Sequence, residues 1–528
     1  MIKKFFQLYT ITYSRILILS IIFGLIACDQ AESEKGTSSP KSNPLDDLNK
    51  EFKSVLDNQV NSSFSLDFYK NSGGQLLWLN DNLDLNDRGK LLYSMITHVN
   101  DYGLNNKQYP SFVNIDSLDG IAKDTALTSC FIQFIKELRW GLLPNEYFVS
   151  PFPVSERNEK EFIASITEII NTTDFQQLIY QCQPDHSQYH SLVVGLKIFN
   201  NRVLDVNKKY AVPSYKKDSL LAYSKAAEVL FNYGLIDSLL VVDSVLINAL
   251  KEFQQEHGLN ADGVIGSNTA KALSKSPYDY FLNASLALEK WRKREDWAKD
   301  RIAINIAGFH LKYFQDDQTT RMHRVVVGTR SNKTIEILDS LEYLVIYPFW
   351  YVPYSIISNE LLPKARKDSS YLRRNGYELL SGGKTVNSEL IDYNAGFKYT
   401  VRQKGGRSNA LGLIKFIFPN PSYIYLHDTP SKKLFNREMR TFSHGCIRLE
   451  NPLDLAKDLL IRDNNKYNID SVERLIKDRV RTKVYLNKKL PIYIHYTLAS
   501  TKDNNIVFHN DVYGRDEKIL VELKKKLE

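Results

Sequence analysis

Apolar positions recur at helical spacing through the first half of the chain and at strand spacing through much of the second, with the change near residue 300. Between 46 and 217, Leu91, Leu92, Met95, Ile96 and Val99 fall on one helical face, as do Phe131, Phe134, Ile135 and Leu138. No catalytic pattern stands out in this helical scaffold. Between 218 and 276, Leu246, Ala249, Leu250 and Phe253 share a face, Gly258 is a favoured helix stop, and Asp262-Gly263 makes a turn before Thr269 to Leu273. The segment reads as a small helix-turn-helix module, and His257 in it reads as structural. A linker helix is expected over 277–299.

From about 300 to 489 the chain reads as mainly β. Ile302-Ala-Ile-Asn-Ile306 and Arg324-Val-Val-Val-Gly328 are branched and alternating, and strands dominate as far as Phe349. A charged, Gly-containing insertion follows over 354–399. The segment Pro421 to Pro430 alternates between two prolines and predicts a short strand ending at His427. Asn451-Pro452, with Asp454 behind them, predict a helix start, and Leu453, Ala456, Leu459 and Leu460 give that helix its apolar stripe. A C-terminal segment over 490–528 completes a multidomain α+β chain.

Length agrees, because 528 residues exceed what one core usually serves. The net charge of +8 is spread without a basic block, which argues against a nucleic-acid surface. At the amino terminus, Lys3, Lys4 and Arg15 precede an apolar run from Ile16 to Ala27 that is short for a membrane span and reads as a signal peptide. Residues 29–45, poor in hydrophobic side chains, predict a flexible tether. Of the four cysteines, Cys130 and Cys182 read as buried thiols.

Chemistry concentrates where His427 is followed, after fifteen residues, by Ser443-His444-Gly445-Cys446-Ile447-Arg448. A lone Cys is usually an inert core residue. Here, polar His444 and cationic Arg448 give Cys446 an electropositive neighbourhood of the kind that exposes and activates a thiol. Attack on a carbonyl also needs an imidazole to move protons and backbone donors to hold the oxyanion. The competing reading is an open zinc site made by His427, His444 and Cys446, although His-x-Cys is a poor structural zinc spacing.

These residues resemble the L,D-transpeptidase (YkuD-like) catalytic domain, whose signature is an upstream His followed by Ser/Thr-His-Gly-Cys. Resemblance extends to Trp350-Tyr351-Val352-Pro353, to Asn409-Ala410-Leu411-Gly412 with Lys415-Phe416 and Phe418-Pro419-Asn420, and to Tyr425 through Pro430. It points to the large, multidomain, periplasmic branch. Residues 46–217 then resemble the helical scaffold of that branch, 218–276 its three-helix peptidoglycan-binding module, 354–399 its capping insertion, and 490–528 a tail returning to the scaffold. The chain has Thr334-Ile335 where the family often has Thr-Pro.

The resemblance implies that Cys446 attacks the bond before the D-alanine of a peptidoglycan stem to give a thioester, which the side-chain amine of a second stem resolves. His427 would be the base and the Asp428 carbonyl would orient it. His444 and Gly445 would shape the oxyanion side with support from Ser443, and Arg448, Tyr425, Trp350 and Tyr351 would meet substrate. A salt bridge to Glu450 is the alternative for Arg448. General acid-base catalysis is worth ~10²- to 10⁴-fold, so proton delivery by His427 should outweigh tuning of the thiol pKa. The same site with water as acceptor would make an L,D-carboxypeptidase, and without chemistry the chain would be a wall-binding protein. Leu25-Ile26-Ala27-Cys28 resembles a lipobox, with Cys28 lipidated and the enzyme anchored to a periplasmic membrane face. Neither a metal nor another cofactor is implied; the partners are stem peptides, glycan strands and a membrane through the lipid, with no nucleic acid, and the chain is expected to be a monomer. Carbapenems are the implied inhibitors.

Overall fold

Helices fill the first half because apolar stripes at helical spacing must find a common interior. The computed structural model describes residues 63–528 apart from 73–74, 110–111, 113, 119, 155–156 and 241. The signal segment, Cys28 and the tether expected from the sequence lie outside the described residues. The helices are α1 (Ser63–Asn71), α2 (Asp87–Thr97), α3 (Gly120–Trp140), α4 (Glu159–Ile169), α5 (Phe175–Gln181) and α6 (Ser187–Arg202). Leu92 and Ile96 of α2 and Phe131, Phe134, Ile135 and Leu138 of α3 are buried. Asp124 is buried on α3, where its carboxylate accepts the Tyr69 hydroxyl at 2.7 Å and the Trp78 N–H at 2.8 Å. A structural role accounts for that acid.

Next come α7 (Ser219–Asn232), α8 (Asp243–Glu256) and α9 (Ser267–Leu273). Ala249, Leu250 and Phe253 are buried, and both Gly258 and Gly263 take positive φ where the chain turns. His257 is buried, gives Nδ1 to the Phe253 carbonyl at 2.7 Å and stacks on the Phe253 ring, so packing explains it. The segment expected as a linker is α10 (Pro277–Arg292), started by a Ser276/Asp279 capping box. Its polar Glu289, Lys290 and Arg292 are buried along with its apolar residues. Among the described residues no helix is long and apolar enough to cross a membrane.

The strands begin with β1 (Arg301–Asn305), β2 (His310–Gln315), β3 (Gln318–Gly328) and β4 (Ile337–Ile346). The insertion contributes β5 (Trp350–Tyr351), β6 (Tyr377–Ser381), β7 (Lys384–Val386) and β8 (Thr400–Gln403), paired in the order β5-β8-β6-β7. Helical turns at Tyr354–Ile356, a π turn at Ile357–Leu361 and a helix at Leu362–Lys367 cover this small sheet. It has its own core of Val352, Ile356, Ile357, Leu361, Leu362, Leu372, Leu379 and Val401, so the subdomain recruits residues just outside 354–399.

The main sheet is completed by β9 (Ile414–Ile417), β10 (Leu426–His427), β11 (Thr441–Ser443), β12 (Ile447–Leu449) and β13 (Thr482–His495). Its order is β11-β3-β12-β10-β9-β4-β13-β1-β2, and a β2–β3 pairing curls it into a barrel-like closure. Because β13 extends to His495, with a register shift between Tyr485 and Leu490, the end of the catalytic domain read from the sequence at 489 falls inside a strand and is corrected. Two helices pack on the barrel, α11 (Pro452–Arg462) and α12 (Ile469–Lys477). Asn451 does precede α11, but it sits at φ 46° and its side chain does not cap the helix. The chain ends with the hairpin β14 (Ala499–Lys502) and β15 (Asn505–Phe508), which packs on α6, and with α13 (Glu517–Leu527) on α10.

Candidate active site

The site forms where β10 and β12 run parallel. Leu426 pairs with Ile447 and His427 with Arg448; Leu426 and Ile447 are wholly buried in the barrel core, so alternation puts His427 and Arg448 on the opposite face. Cys446 stands just before β12, across from Tyr425, whose carbonyl accepts the Ile447 N–H at 3.1 Å. Cys446 and His427 are thus diagonal neighbours on one face of this parallel pair. The strand expected over 421–430 does end at His427, but it is short, because Tyr423 turns at φ 52°.

His427 is buried, and its Nδ1 donates to the Asp428 carbonyl at 2.5 Å, which fixes Nε2 as the acceptor. Burial first, and then the charges of Arg448 and Lys415, hold its pKa down at about 3. The imidazole is therefore neutral at ordinary pH. The Asp428 side chain is itself held, accepting the Leu413 N–H at 2.9 Å and pairing with Lys432. Gly412, at φ +60°, lies so close to this carboxylate that a Cβ would come within 2.2 Å of Oδ2. Asn409 is buried and its side chain locks the same loop, through Nδ2 to the Lys404 carbonyl at 2.8 Å and Oδ1 to the Leu411 N–H at 2.7 Å.

Cys446 is partly buried, and burial pushes its pKa up, against the lowering effects of Tyr425, Lys415 and Arg448. The sequence suggested an activated thiol; the structure corrects this, since desolvation outweighs the cations. In this state Sγ contacts the Tyr423 carbonyl at 3.9 Å and is not hydrogen-bonded to His427. Thiol and imidazole are both neutral, and catalytic hydrogen bonds of this kind often tighten only in the substrate complex.

The turn carrying Cys446 is tied at several points. Ser443 Oγ donates to the Cys446 carbonyl at 2.5 Å and accepts the Gly445 N–H at 3.2 Å. Gly445 has φ +110°, a conformation that favours glycine. Its carbonyl accepts the Thr334 hydroxyl at 2.7 Å, and Thr334 Oγ1 accepts the Gly328 N–H at 2.9 Å. Thr334 is in turn bonded through its N–H to the Tyr513 hydroxyl at 3.2 Å. In sequence, Thr334 stood out only as the residue before Ile335, where the family often has Pro, and Tyr513 only as part of the C-terminal tail; these hydrogen bonds were not legible there.

Tyr425 lies against the thiol and Trp350, and burial keeps its hydroxyl protonated. Trp350 thus joins the cluster. Tyr351, next along β5, faces the other way, is 54% exposed and contacts Arg402, so the structure does not bring it to the thiol. Arg448 makes no salt bridge with Glu450, which pairs with Arg324 at 2.7 Å. His444 reaches outward, where its Nε2 meets Glu360 Oε1 of the capping insertion at 2.6 Å. Among the described residues, no three His, Cys, Asp or Glu side chains converge as a metal site, which leaves the zinc reading without a ligand set. Cys130 and Cys182 are both free and buried.

Residues 299–500 match the YkuD model, described as an L,D-transpeptidase catalytic domain, residues 65–196 a scaffold domain, and residues 229–273 a putative peptidoglycan binding domain. A putative L,D-transpeptidase of Haemophilus influenzae is 35% identical over 222 residues, a match that covers 41% of this chain and 45% of that protein. The match thus spans under half of the relative's length. A solved L,D-transpeptidase of Xylanimonas cellulosilytica aligns at 11% identity over 55% of this chain and 100% of its own, with a TM-score of 0.17. The avibactam carbamoyl enzyme of Ldtfm aligns at 8% identity over 42% of this chain and 65% of its own, also at 0.17.

Proposed function

We propose that this chain, which carries an L,D-transpeptidase catalytic domain over residues 299–500, crosslinks peptidoglycan stems through their third residues by way of a thioester on Cys446. The observation that carries this reading is the placement of Cys446, Tyr425 and a backbone-locked His427 on one face of the β10–β12 pair.

In the first half-reaction, the Cys446 proton passes to His427 Nε2 as Sγ bonds to the carbonyl carbon of the third residue. His427 then gives that proton to the departing D-alanine amine as the C–N bond breaks. A neutral thiol and a neutral imidazole suit this exchange, since the proton moves only as the S–C bond forms. The Gly445 N–H already meets Ser443 Oγ, so the Cys446 N–H is the backbone donor assigned to the oxyanion. In the second half-reaction, an acceptor amine attacks the thioester, its proton goes to His427, and the released Cys446 sulfur recovers it.

His444, held by Glu360, keeps the capping insertion near the thioester, where exclusion of water would favour the amine acceptor over hydrolysis. The module at 229–273 would hold or orient the wall polymer. Lipidation at Cys28 would anchor the enzyme as a periplasmic monomer, and carbapenems would acylate the same thiol. Tetrapeptide muropeptides incubated with the purified chain and read by mass spectrometry test the reaction. Crosslinked dimer is expected and should vanish in Cys446→Ala; trimmed monomer alone would replace this reading by the carboxypeptidase.

A further inference from the structure

A cavity of about 520 Å³ opens between the loop at 146–154, the end of α10 and the C-terminal residues 515–519. None of the residues around Cys446 lines it. One wall is apolar, built from Phe148, Phe152 and Ile519. At its mouth stand Tyr147, Val149 and Val154, which are 40%, 84% and 37% exposed. Scattered exposed apolar side chains are ordinary, but three gathered at one opening mark a binding surface.

The rest of the lining is charged, with five basic side chains against the acids Glu146, Glu336 and Asp516. Asp516 pairs with Lys290 at 2.6 Å, and the single carboxylate of Glu336 serves both Arg294 at 3.3 Å and Arg515 at 2.6 Å. Lys293 and Lys518 enter no ion pair among the described residues, although Glu289 and Glu146 act on Lys293 from further off. Lys293 is 4% exposed, and its ammonium donates to the Trp140 and Leu143 carbonyls and keeps a third N–H. Arg294 is 6% exposed and its Nη1 has no hydrogen-bond partner; Asp516, wholly buried, has none at Oδ1. Burial lowers the pKa of Lys293 and holds that of Arg294 at about 10, against the pull of Glu336 and Asp516 and with help from Arg515.

Buried donors without acceptors are costly, so these groups call for an anion. A planar carboxylate is satisfied by one bidentate Arg, whereas donors diverging from lysines and arginines together suit the tetrahedral oxygens of a phosphate. The free Asp516 oxygen suits a hydroxyl on the same group, and the apolar wall suits a hydrocarbon chain attached to it. We propose that this cavity binds the headgroup of an anionic glycerophospholipid, its phosphate on Lys293, Arg294 and Lys518 and the start of its acyl chains on Phe148, Phe152 and Val149. The scaffold side of the molecule would then sit against a lipid surface. This site stands apart from the transpeptidase reading, which could fail without touching it.

The probe is dihexanoyl phosphatidylglycerol, titrated calorimetrically into the full chain, with dihexanoyl phosphatidylcholine and glycerol phosphate as comparisons. The anionic lipid should bind at least about tenfold more tightly than either, because the choline lipid lacks net charge and glycerol phosphate lacks a chain. Lys518 and Val149 are exposed, so Lys518→Glu and Val149→Asp should fold with an unchanged melting temperature and each weaken the anionic lipid about five- to tenfold. Cys446→Ala should bind it as wild type does. No binding of the anionic lipid, equal binding of either comparison, or an affinity unmoved by both surface substitutions would overturn the proposal.

Discussion

Thr334 joins the end of β3 to the turn between β11 and β12 through one hydroxyl, giving its proton to the Gly445 carbonyl and accepting the Gly328 N–H. Removing that oxygen leaves two buried backbone groups unpaired, at about 1–3 kcal/mol of stability. Thr334→Val should lower thermal stability accordingly and slow acylation of Cys446, and Thr334→Ser should restore both; an acylation rate in the Val variant equal to wild type would show that the turn at Gly445 is held by other contacts. Little of this was legible in the sequence. His427, Gly445 and Cys446 stand out because their chemistry or backbone freedom is distinctive, whereas Thr334, noted only beside a departure from the family's Thr-Pro, and Tyr513 gain their partners only when the fold brings them together. The thiol was misjudged because nearby cations are visible in sequence and desolvation is not.

Among the elements, the capping insertion is held to the catalytic turn by the half-exposed contact between Glu360 and His444, 42% and 48% exposed. Such exposed pairs contribute little to stability, about 0–1 kcal/mol. Its consequence belongs to closure of the cap. Glu360→Gln should leave the melting temperature nearly unchanged yet raise the share of thioester lost to water by up to about fivefold, seen as more trimmed monomer relative to dimer. An unchanged ratio would mean that the cap closes without this contact. The insertion was legible as charged, Gly-containing chain between strands, but its recruitment of Trp350–Tyr351 and Thr400–Gln403 into one sheet was not, because strands of two and four residues leave too little periodicity. Helical periodicity located α3 and α8 well, and the alternation from Ile302 to Ile306 located β1.

Across the whole molecule, α10 joins the helical half to the C-terminal segment through polar groups buried on it. Glu289 pairs with Arg292 at 3.1 Å and accepts the Leu142 N–H at 2.9 Å, and Lys290 pairs with Asp516 at 2.6 Å. Leu142 and Asp516 lie more than a hundred residues from Glu289 and Lys290 and cannot be read from a local pattern, so in sequence this helix was legible only as a linker. Gly141, at φ +72°, lets the chain pass Glu289 closely. The C-terminal segment completes the frame, since Tyr513 donates to the Gly328 carbonyl at 2.7 Å and so supports the strand end beneath the catalytic turn.

The function proposed for this chain rests on a covalent bond formed at one sulfur, that of Cys446. The direct measurement is the intact mass of the chain during turnover of a tetrapeptide stem, followed by mapping of the modified peptide. The expected result is a transient gain equal to the stem less its D-alanine, carried by Cys446 and absent in Cys446→Ala. An adduct that persists in Cys446→Ala, or crosslinked product formed with no adduct at Cys446, would contradict the account.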